Sequence, residues 1–305
     1  MIKVFGHKAP DTDSTGSPII WAWYLTDVKG TPAKAVLLGE PNTEAAFVLK
    51  HWGFDQPEII SDVTADDSVV IVDTNNPAEL PPSINDSKIL AIIDHHMLVG
   101  GIKTKTPIDI TIRPLACTAT LMHDLIGDDL ARAPRGVKGA MLSCILSDTL
   151  EFRSPTTTPH DRAVAEKLAA DLGVSIPDFA AEMFAAKSDV SAFSDAALLR
   201  MDSKEYNVAG KELRVSVLET TAPQVLLDRK ASLMASMVDV AKEDGADQVL
   251  LFVIDILNEE ATLLVPNDLV KQLAEASFGC TVTGDTVVLP GIMSRKKQII
   301  PSLKL

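Results

Sequence analysis

The stretch KILAIIDHH, residues 88–96, is a nearly continuous apolar run that ends in one acid and two imidazoles. Such a run is typical of a strand that is covered on both faces of a parallel sheet. Two adjacent histidines are hard to bury in a neutral form, because each of their ring nitrogens needs a partner. The stretch therefore predicts a buried strand whose carboxyl end, at Asp94, His95 and His96, serves a polar site.

Three more apolar runs lie in the same part of the chain, at residues 2–7, 33–39 and 67–74. Helical patterns at residues 14–30 and 42–53 separate them, and the first begins with a serine and ends with a glycine. This alternation predicts an α/β domain with an open parallel sheet flanked by helices.

The first domain continues with a buried helix at residues 134–150 and two amphipathic helices. After residue 192 the pattern changes to a hairpin with a turn near Gly210, one helix over residues 222–245 and further short strands, the last being QIIP. At 305 residues the chain exceeds the size at which one core keeps growing. We therefore predict two domains, 1–188 and a smaller α/β domain with a mixed sheet at 194–305, joined by a hinge at 189–193.

Composition excludes several classes of protein. The 28 Lys and Arg against 42 Asp and Glu give a net charge of −14, which disfavours nucleic-acid binding through phosphate neutralisation. No apolar run is long enough to predict a membrane span, and the first residues do not resemble a signal peptide. Three widely spaced cysteines, Cys117, Cys144 and Cys280, favour a reducing compartment, so we expect a cytoplasmic protein.

Charged residues follow three of the predicted strands directly. His7 follows the first, Asp73 the third and the Asp94–His96 segment the fourth, while Asp11 and Asp13 lie in the loop after the first. In an open parallel sheet these positions share one edge, where ligand crevices form. Imidazoles and carboxylates without thiolates favour Mn²⁺, Co²⁺, Fe²⁺ or Zn²⁺ over Ca²⁺, in numbers sufficient for two ions.

Ordinary structural roles compete with these interpretations. Asp13 alone could be no more than a helix N-cap. The separate histidines His51, His123 and His160 are each more typical of surface or core than of a ligand. Asp148, at the end of the predicted buried helix, is costly to bury unless it is paired or binds a metal.

Cations cluster in the second domain. Arg295 and Lys296 have the planar fork and the point charge that suit phosphate binding, although a charge run is more often a solvated face. Lys204 could add a third cation, and the role of Lys297 stays open.

Segments of both domains resemble a known family. GHKAPDTDS (6–14), IVDTNN (71–76), IIDHHM (92–97) and SCILSDTLEFRSPT (143–156) resemble, in this order, the motifs of the Asp-His-His phosphoesterase superfamily. DSKEYNVAGKEL (202–213) and SRKKQIIPSL (294–303) resemble those of its family II inorganic pyrophosphatases. The resemblance covers essentially the whole chain, and the glycine-rich substrate loop of the nucleotide-cleaving relatives is missing from the sequence.

The resemblance implies an enzyme that hydrolyses inorganic pyrophosphate, as its Mg²⁺ complex, with a hydroxide bridging two Mn²⁺ or Co²⁺ ions per subunit in a cleft between the domains. One ion would be held by His7, Asp11 and Asp73, and the other by Asp13, Asp73, His95 and Asp148. Substrate would be bound by His96, Lys204, Arg295 and Lys296, and Asp94 would support the ligands. The family also implies a homodimer joined through the first domain.

One motif departs from the family. After Asp73 the family reads His-Asn-Glu, whereas this chain has Thr74, Asn75 and Asn76, so we expect altered metal affinity with activity retained.

Two alternative functions stay open. One is a phosphodiesterase or exopolyphosphatase acting on other phosphoanhydrides or short nucleotides, which the 5% content of aromatic residues disfavours. The other is a sensor that binds phosphate compounds in the presence of metal without turnover.

Overall fold

The chain divides into two compact units, residues 1–187 and 188–305. The computed structural model describes residues 1–304, apart from the side chain of Lys296. Each unit contains its own sheet. Among the described helices, none combines the length and the apolar character that a bilayer crossing requires.

Six parallel strands form the sheet of the first unit, in order β3-β2-β1-β4-β5-β6 across the sheet. In chain order they are β1 (Ile2–Phe5), β2 (Ala33–Leu37), β3 (Glu58–Ile59), β4 (Ser68–Val72), β5 (Lys88–Asp94) and β6 (Asp109–Ile112). The predicted parallel sheet is thus confirmed, and the short strands β3 and β6, which were not predicted, extend its two edges.

The helices of the first unit are α1 (Thr12–Trp23), α2 (Thr43–Trp52), α3 (Thr118–Ile126), α4 (Arg135–Asp148), α5 (Pro159–Leu172) and α6 (Ile176–Lys187). Helix α1 begins before the predicted Ser14, because the Asp11 carboxylate caps it by accepting the Ser14 N–H at 2.9 Å. Helix α3 was not predicted.

Helices α1 and α4 pack at very short range. A Cβ atom on Gly16 of α1 would lie 2.4 Å from the Cys144 sulfur of α4. Only glycine permits this approach, which brings the start of α1 close to the end of α4. The acidic residues at these two helix ends are thereby brought together.

One side of the sheet packs a cluster that includes Phe5, Ile71 and Ile92 from β1, β4 and β5. Leu80 and Ile84, beside and within two single-turn 3₁₀ segments, complete this cluster. Helices α1 and α3 contact strands of the same sheet. The inner strands β1 and β4 and the carboxyl end of β5 are buried on both faces as predicted, although one face is closed by short turns and loops and not by long helices.

The second unit has a five-stranded sheet in order β11-β10-β9-β8-β7. Its strands are β7 (Ser203–Val208), β8 (Lys211–Thr220), β9 (Gln248–Asp255), β10 (Glu260–Leu264) and β11 (Thr286–Pro290). Strands β8 and β9 are parallel and the other neighbours are antiparallel, so the predicted mixed sheet and the hairpin at Gly210 are confirmed. The helices are α7 (Asp195–Met201), α8 (Pro223–Leu227), α9 (Lys230–Asp244), α10 (Asp268–Phe278) and α11 (Ile300–Ser302).

Two predictions for the second unit are wrong. QIIP is not a strand: residues 295–299 form a π-helical turn that leads into α11, because Ile299 and Leu303, four residues apart, are both buried in the core. The predicted helix 222–245 is two helices, since Arg229 leaves the helical path to bind the carbonyls of Val190 and Phe193 at 2.9 Å each.

Candidate metal centre

The carboxyl ends of β1, β4 and β5 lie side by side in the first unit. From β1 the chain builds outwards to β2 and β3, whereas β4 begins on the opposite side of β1 and is followed by β5 and β6. Such a reversal point leaves a crevice at the strand ends. The predicted ligands that follow these three strands therefore meet in one place.

His7 is positioned by a close contact between the end of β1 and the start of α1. A Cβ atom on Gly6 would lie 2.0 Å from the Ser14 hydroxyl oxygen, and that oxygen accepts the His7 N–H at 2.7 Å. The His7 Nε2 atom is then 3.6 Å from both Asp11 Oδ2 and Asp73 Oδ2. Burial lowers the pKa of His7, but the hydrogen bond and charge of Asp11 outweigh burial and leave the pKa raised.

Asp73 lies at the middle of the cluster. Its backbone is left-handed, with φ of 57°, and its side chain is almost fully buried. Oδ1 accepts the Thr118 hydroxyl at 3.0 Å and lies 3.4 Å from His95 Nε2. Oδ2 is buried with no hydrogen-bond donor among the described residues. Burial, followed by repulsion from Asp13 and Asp11, raises the pKa of Asp73 well above its ordinary value.

Asp13 receives an unusual number of donors. Its carboxylate accepts the Ser17 hydroxyl at 2.6 Å, the Thr118 N–H at 2.7 Å and the Cys117 thiol at 3.2 Å. Burial raises the pKa of Cys117 well above its ordinary value, so the sulfur acts as a neutral donor and not as a thiolate ligand. The N-terminus of α3 therefore supports this carboxylate.

Asp148 ends α4 beside Asp13 and Cys117, with ligand atoms of the three residues within 4.8 Å of one another. Its Oδ2 is buried without a hydrogen-bond donor in the described part of the chain. Burial, followed by repulsion from Asp13 and Asp73, raises the pKa of Asp148 well above its ordinary value. Leu150, Glu151 and Phe152, which follow, have φ of 47°, 53° and 71°, so three successive left-handed residues turn the chain away.

The histidine pair is held by two different acceptors. The Asp94 carboxylate accepts the N–H groups of His95 and His96 and lies 2.8 Å from His96 Nδ1, while Asn75 donates to its other oxygen at 2.6 Å. The His95 ring instead places Nδ1 3.1 Å from the Leu115 carbonyl, which leaves Nε2 facing Asp73. Asp94 thus orients the His96 ring and only the backbone of His95.

The motif that departs from the family keeps a supporting role. The Thr74 hydroxyl donates to Glu79 at 2.7 Å, and Glu79 accepts the Lys8 N–H through its carbonyl at 2.8 Å. Asn75 donates to Asp94 and accepts the Val99 N–H at 2.8 Å. These side chains brace the loops on either side of Asp73.

The arrangement fits a pair of divalent cations. Asp73 belongs both to a group with His7 and Asp11 and to a group with His95 and His96, and ligand atoms within each group lie within 4.8 Å of one another. Asp73 Oδ2 and Asp148 Oδ2 are buried without a hydrogen-bond donor among the described residues, and the neighbouring carboxylates repel them. Burying these charges costs free energy unless a positive charge compensates them. Imidazole and carboxylate donors in this number suit Mn²⁺, Co²⁺ or Zn²⁺.

The predicted substrate cations lie in the second unit. Arg295 donates to the Asp202 carbonyl at 2.8 Å and to its carboxylate at 2.7 Å. Lys204 is exposed on β7. Tyr206 lies on the same face of β7 as Lys204, and it packs against the hydrophobic core cluster of the second unit that contains Ile299. The side chain of Lys296 lies outside the described residues.

Glu44 was missed by the sequence analysis, because an acid in the first turn of a helix is ordinarily exposed. It is fully buried, and one oxygen accepts the hydroxyls of Thr12, at 2.5 Å, and Ser147. Its other oxygen is 3.6 Å from Lys187 Nζ. Glu44 therefore links the residues beside Asp11, Asp13 and Asp148. Thr118 was missed because α3 was not predicted.

Comparison with known proteins agrees with this site. Two family models match, the DHH family N-terminal domain at residues 1–147 and the DHHA2 domain at 181–305. The chain is 39% identical to a "probable manganese-dependent inorganic pyrophosphatase" of Deinococcus radiodurans, over 100% of this chain and 98% of that protein. A protein with the same name from Lactobacillus acidophilus is 34% identical, over 98% and 96% of the two chains.

A solved structure agrees as well. The crystal structure of a Methanococcus jannaschii protein assigned to the family II inorganic pyrophosphatases matches with a TM-score of 0.62 and 32% identity, over 99% of this chain and 98% of that one. The chain belongs to the family of manganese-dependent inorganic pyrophosphatases. The resemblance inferred from the six sequence motifs is thereby confirmed.

Repulsion among the carboxylates leads to a first prediction, for Asp148→Asn. We expect the metal-free variant to be more stable than metal-free wild type, on the order of 1–3 kcal/mol, and to gain less stability from Mn²⁺. The folded pKa of Asp148 lies above the unfolded value of about 3.9, so in the metal-free protein this carboxyl binds more protons when folded than when unfolded, and its own contribution to the free energy of unfolding falls as pH rises above about 4.

Thermal unfolding with a chelator and with Mn²⁺, at pH 5 and at pH 8, measures both effects. The exposed Asp55→Asn variant controls for a change in net charge. A metal-free Asp148→Asn protein that unfolds at a lower temperature than metal-free wild type at pH 8 would contradict this account.

Glu44 gives a second prediction. Glu44→Ala leaves the buried Thr12 and Ser147 hydroxyls without their acceptor, so we expect a loss of about 1–3 kcal/mol and weaker Mn²⁺ binding. Glu44→Gln keeps an acceptor oxygen and should recover most of the stability. Chemical denaturation and Mn²⁺ titration check this, with exposed Glu182→Ala on α6 as control; equal Mn²⁺ affinity in Glu44→Ala and wild type would refute the link.

Proposed function

We propose that this protein hydrolyses inorganic pyrophosphate to two orthophosphates with two Mn²⁺ or Co²⁺ ions bound in the first unit. The observation that carries the proposal is the position of Asp73, which two groups of imidazole and carboxylate side chains share. Family membership supports the same reaction, since the relatives are named for it.

The ligands of the two ions are proposed from the two groups that share Asp73 and from the neighbouring group that contains Asp13 and Asp148. His7, Asp11 and Asp73 hold one ion, and the other is held by Asp13, Asp73, His95 and Asp148. When bound, the ions neutralise the substrate's oxygens and make a strong nucleophile available near neutral pH. The Thr118 hydroxyl, the Thr118 N–H and the Ser17 hydroxyl fix the directions of the Asp73 and Asp13 carboxylates.

His96 is proposed to act on the leaving phosphate. Its side chain is half exposed, and Nδ1 is engaged by the buried Asp94 carboxylate. Nε2 is therefore the ring nitrogen available to the substrate, as a proton donor to an oxygen of the departing phosphate. Asp94 accepts the Nδ1–H, fixes the ring and raises the pKa of His96, which favours the doubly protonated imidazolium; it is this form that carries a proton on Nε2 to give to the departing phosphate.

The second unit is proposed to supply the remaining cations. Arg295, whose two terminal nitrogens are anchored to Asp202, presents a fixed guanidinium plane, and Lys204 and Lys296 add point charges. These groups bind the equatorial and leaving oxygens of a Mg²⁺-pyrophosphate substrate. Residues 189–193 are the proposed hinge.

A cytoplasmic homodimer joined through the first unit is part of the proposal. Strand β6 is at one edge of its sheet, and Ile110 on that strand is 56% exposed. The loop after β5 exposes Met97, Leu98 and Val99 as well. An apolar patch beside an open strand edge is typical of a protein interface.

The activity is tested by Asp73→Asn, since asparagine keeps the side-chain shape and tolerates the left-handed backbone. We expect phosphate release from pyrophosphate in Mn²⁺ to fall by at least about 100-fold, because both ions lose a shared anionic ligand. Asp55→Asn is the control. Faster cleavage of a phosphodiester or tripolyphosphate by wild type would favour the alternative hydrolase, and pyrophosphate binding without phosphate release would favour a sensor.

The dimer is tested by Ile110→Lys. A charge on the exposed face of the edge strand should convert the protein to a monomer, because like charges would meet across the interface. Light scattering after size-exclusion chromatography measures the mass, and Val238→Lys, at an exposed apolar position of the second unit, is the matched control. A monomeric wild type would reject the proposed assembly.

A further inference from the structure

Two histidines that are separate in the sequence come together on the surface of the first unit. His123 lies on α3 and His160 is the second residue of α5. Asp124 Oδ1 is 2.8 Å from His160 Nε2 and 3.4 Å from His123 Nδ1. Ligand atoms of all three residues lie within 4.8 Å of one another, which is the spacing of side chains that could share one metal ion.

The donors are in a suitable chemical form. Burial lowers the pKa of His123, so its ring is neutral and keeps a lone pair at neutral pH. Burial acts to raise the pKa of Asp124, but hydrogen bonds from His160 and His123 outweigh it and lower the pKa, so the carboxylate is ionised. Two imidazoles and one carboxylate are a known donor set for Zn²⁺.

The cluster also leaves room for solvent. The His160 side chain is 46% exposed and that of Asp124 is 27% exposed. An ion bound here would keep at least one coordination position open to water.

The neighbouring cations set the affinity. Arg113 Nη1 lies 3.0 Å from Asp124 Oδ2, and Lys167 is close enough to act on the charge of His123. Arg113 competes with a metal ion for the carboxylate, yet its side chain is 44% exposed and free to turn into solvent. Arg113 would therefore limit the affinity of a metal ion bound to this carboxylate.

The cluster shares no residue with the candidate metal centre. Thr118 contacts that centre at the start of α3, and His123 lies five residues further on, about 7.5 Å along the helix axis. Occupation of one site does not require ligands of the other.

We propose that His123, Asp124 and His160 form a second, surface metal site that binds Zn²⁺, or Cu²⁺ and Ni²⁺, in preference to Mn²⁺ and Mg²⁺. The preference follows from the imidazole donors and from the order of stability of divalent first-row ions. The proposal is independent of the proposed pyrophosphate hydrolysis.

Equilibrium dialysis of the full-length protein against Zn²⁺, at a fixed Mn²⁺ concentration, followed by metal analysis, tests the site. We expect His123→Asn/His160→Asn to bind one Zn²⁺ fewer per chain than wild type, and His160→Asn to bind this ion at least about tenfold more weakly. His51→Asn, at a histidine outside the cluster, should bind as much Zn²⁺ per chain as wild type. Equal Zn²⁺ content in the double variant and wild type would overturn the proposal.

Arg113→Ala provides a second test. Removal of the competing cation should strengthen Zn²⁺ binding several-fold, whereas a cluster that serves only to join α3 to α5 would show no change. Mn²⁺-supported pyrophosphate hydrolysis should be unchanged in His160→Asn, which shows that the fold is intact. This readout also separates failure of the surface site from failure of the proposed enzymatic function.

Discussion

Mutual repulsion among the carboxylates of Asp11, Asp13, Asp73 and Asp148 is the constraint on which the first unit depends. Asp13 and Asp73 are each 1% exposed, so water cannot screen their charges. Hydrogen-bond donors from Ser14, Ser17, Cys117 and Thr118 stabilise the carboxylates of Asp11, Asp13 and Asp73. One oxygen each of Asp73 and Asp148 has no donor among the described residues. The remaining imbalance is what gives the cluster its affinity for divalent cations.

Close packing of the surrounding helices and strands holds these like charges together. Gly16 lets α1 approach α4, Gly6 lets β1 approach α1, and Glu44 ties the start of α1 to the end of α4. Each contact opposes the separation that repulsion would favour. The parallel sheet contributes by ending β1, β4 and β5 at one edge, which places His7, Asp73 and His95 beside one another without a long loop.

The sequence predicted the parts of the site that depend on strand order. His7, Asp73 and His95 follow apolar strands directly, and parallel topology then brings them together. It could not predict Thr118 or Glu44, because their roles depend on an unrecognised helix and on the burial of an acid that would be exposed in an isolated helix. QIIP was misread for a related reason: the adjacent isoleucines Ile299 and Ile300 fit a helical turn as well as a strand, and only the packing of Ile299 and Leu303 in the core decides between them.

The left-handed turn at Leu150, Glu151 and Phe152 bears on the entropy of metal binding. Each such residue costs roughly 1–2 kcal/mol, and the folded structure must supply this from the surrounding contacts. A flexible exit from α4 would avoid that cost but would let the last carboxylate move among several orientations. Because the backbone is constrained during folding, Asp148, the proposed ligand, loses that freedom before any ion arrives, and less conformational entropy would remain to be lost when an ion is captured.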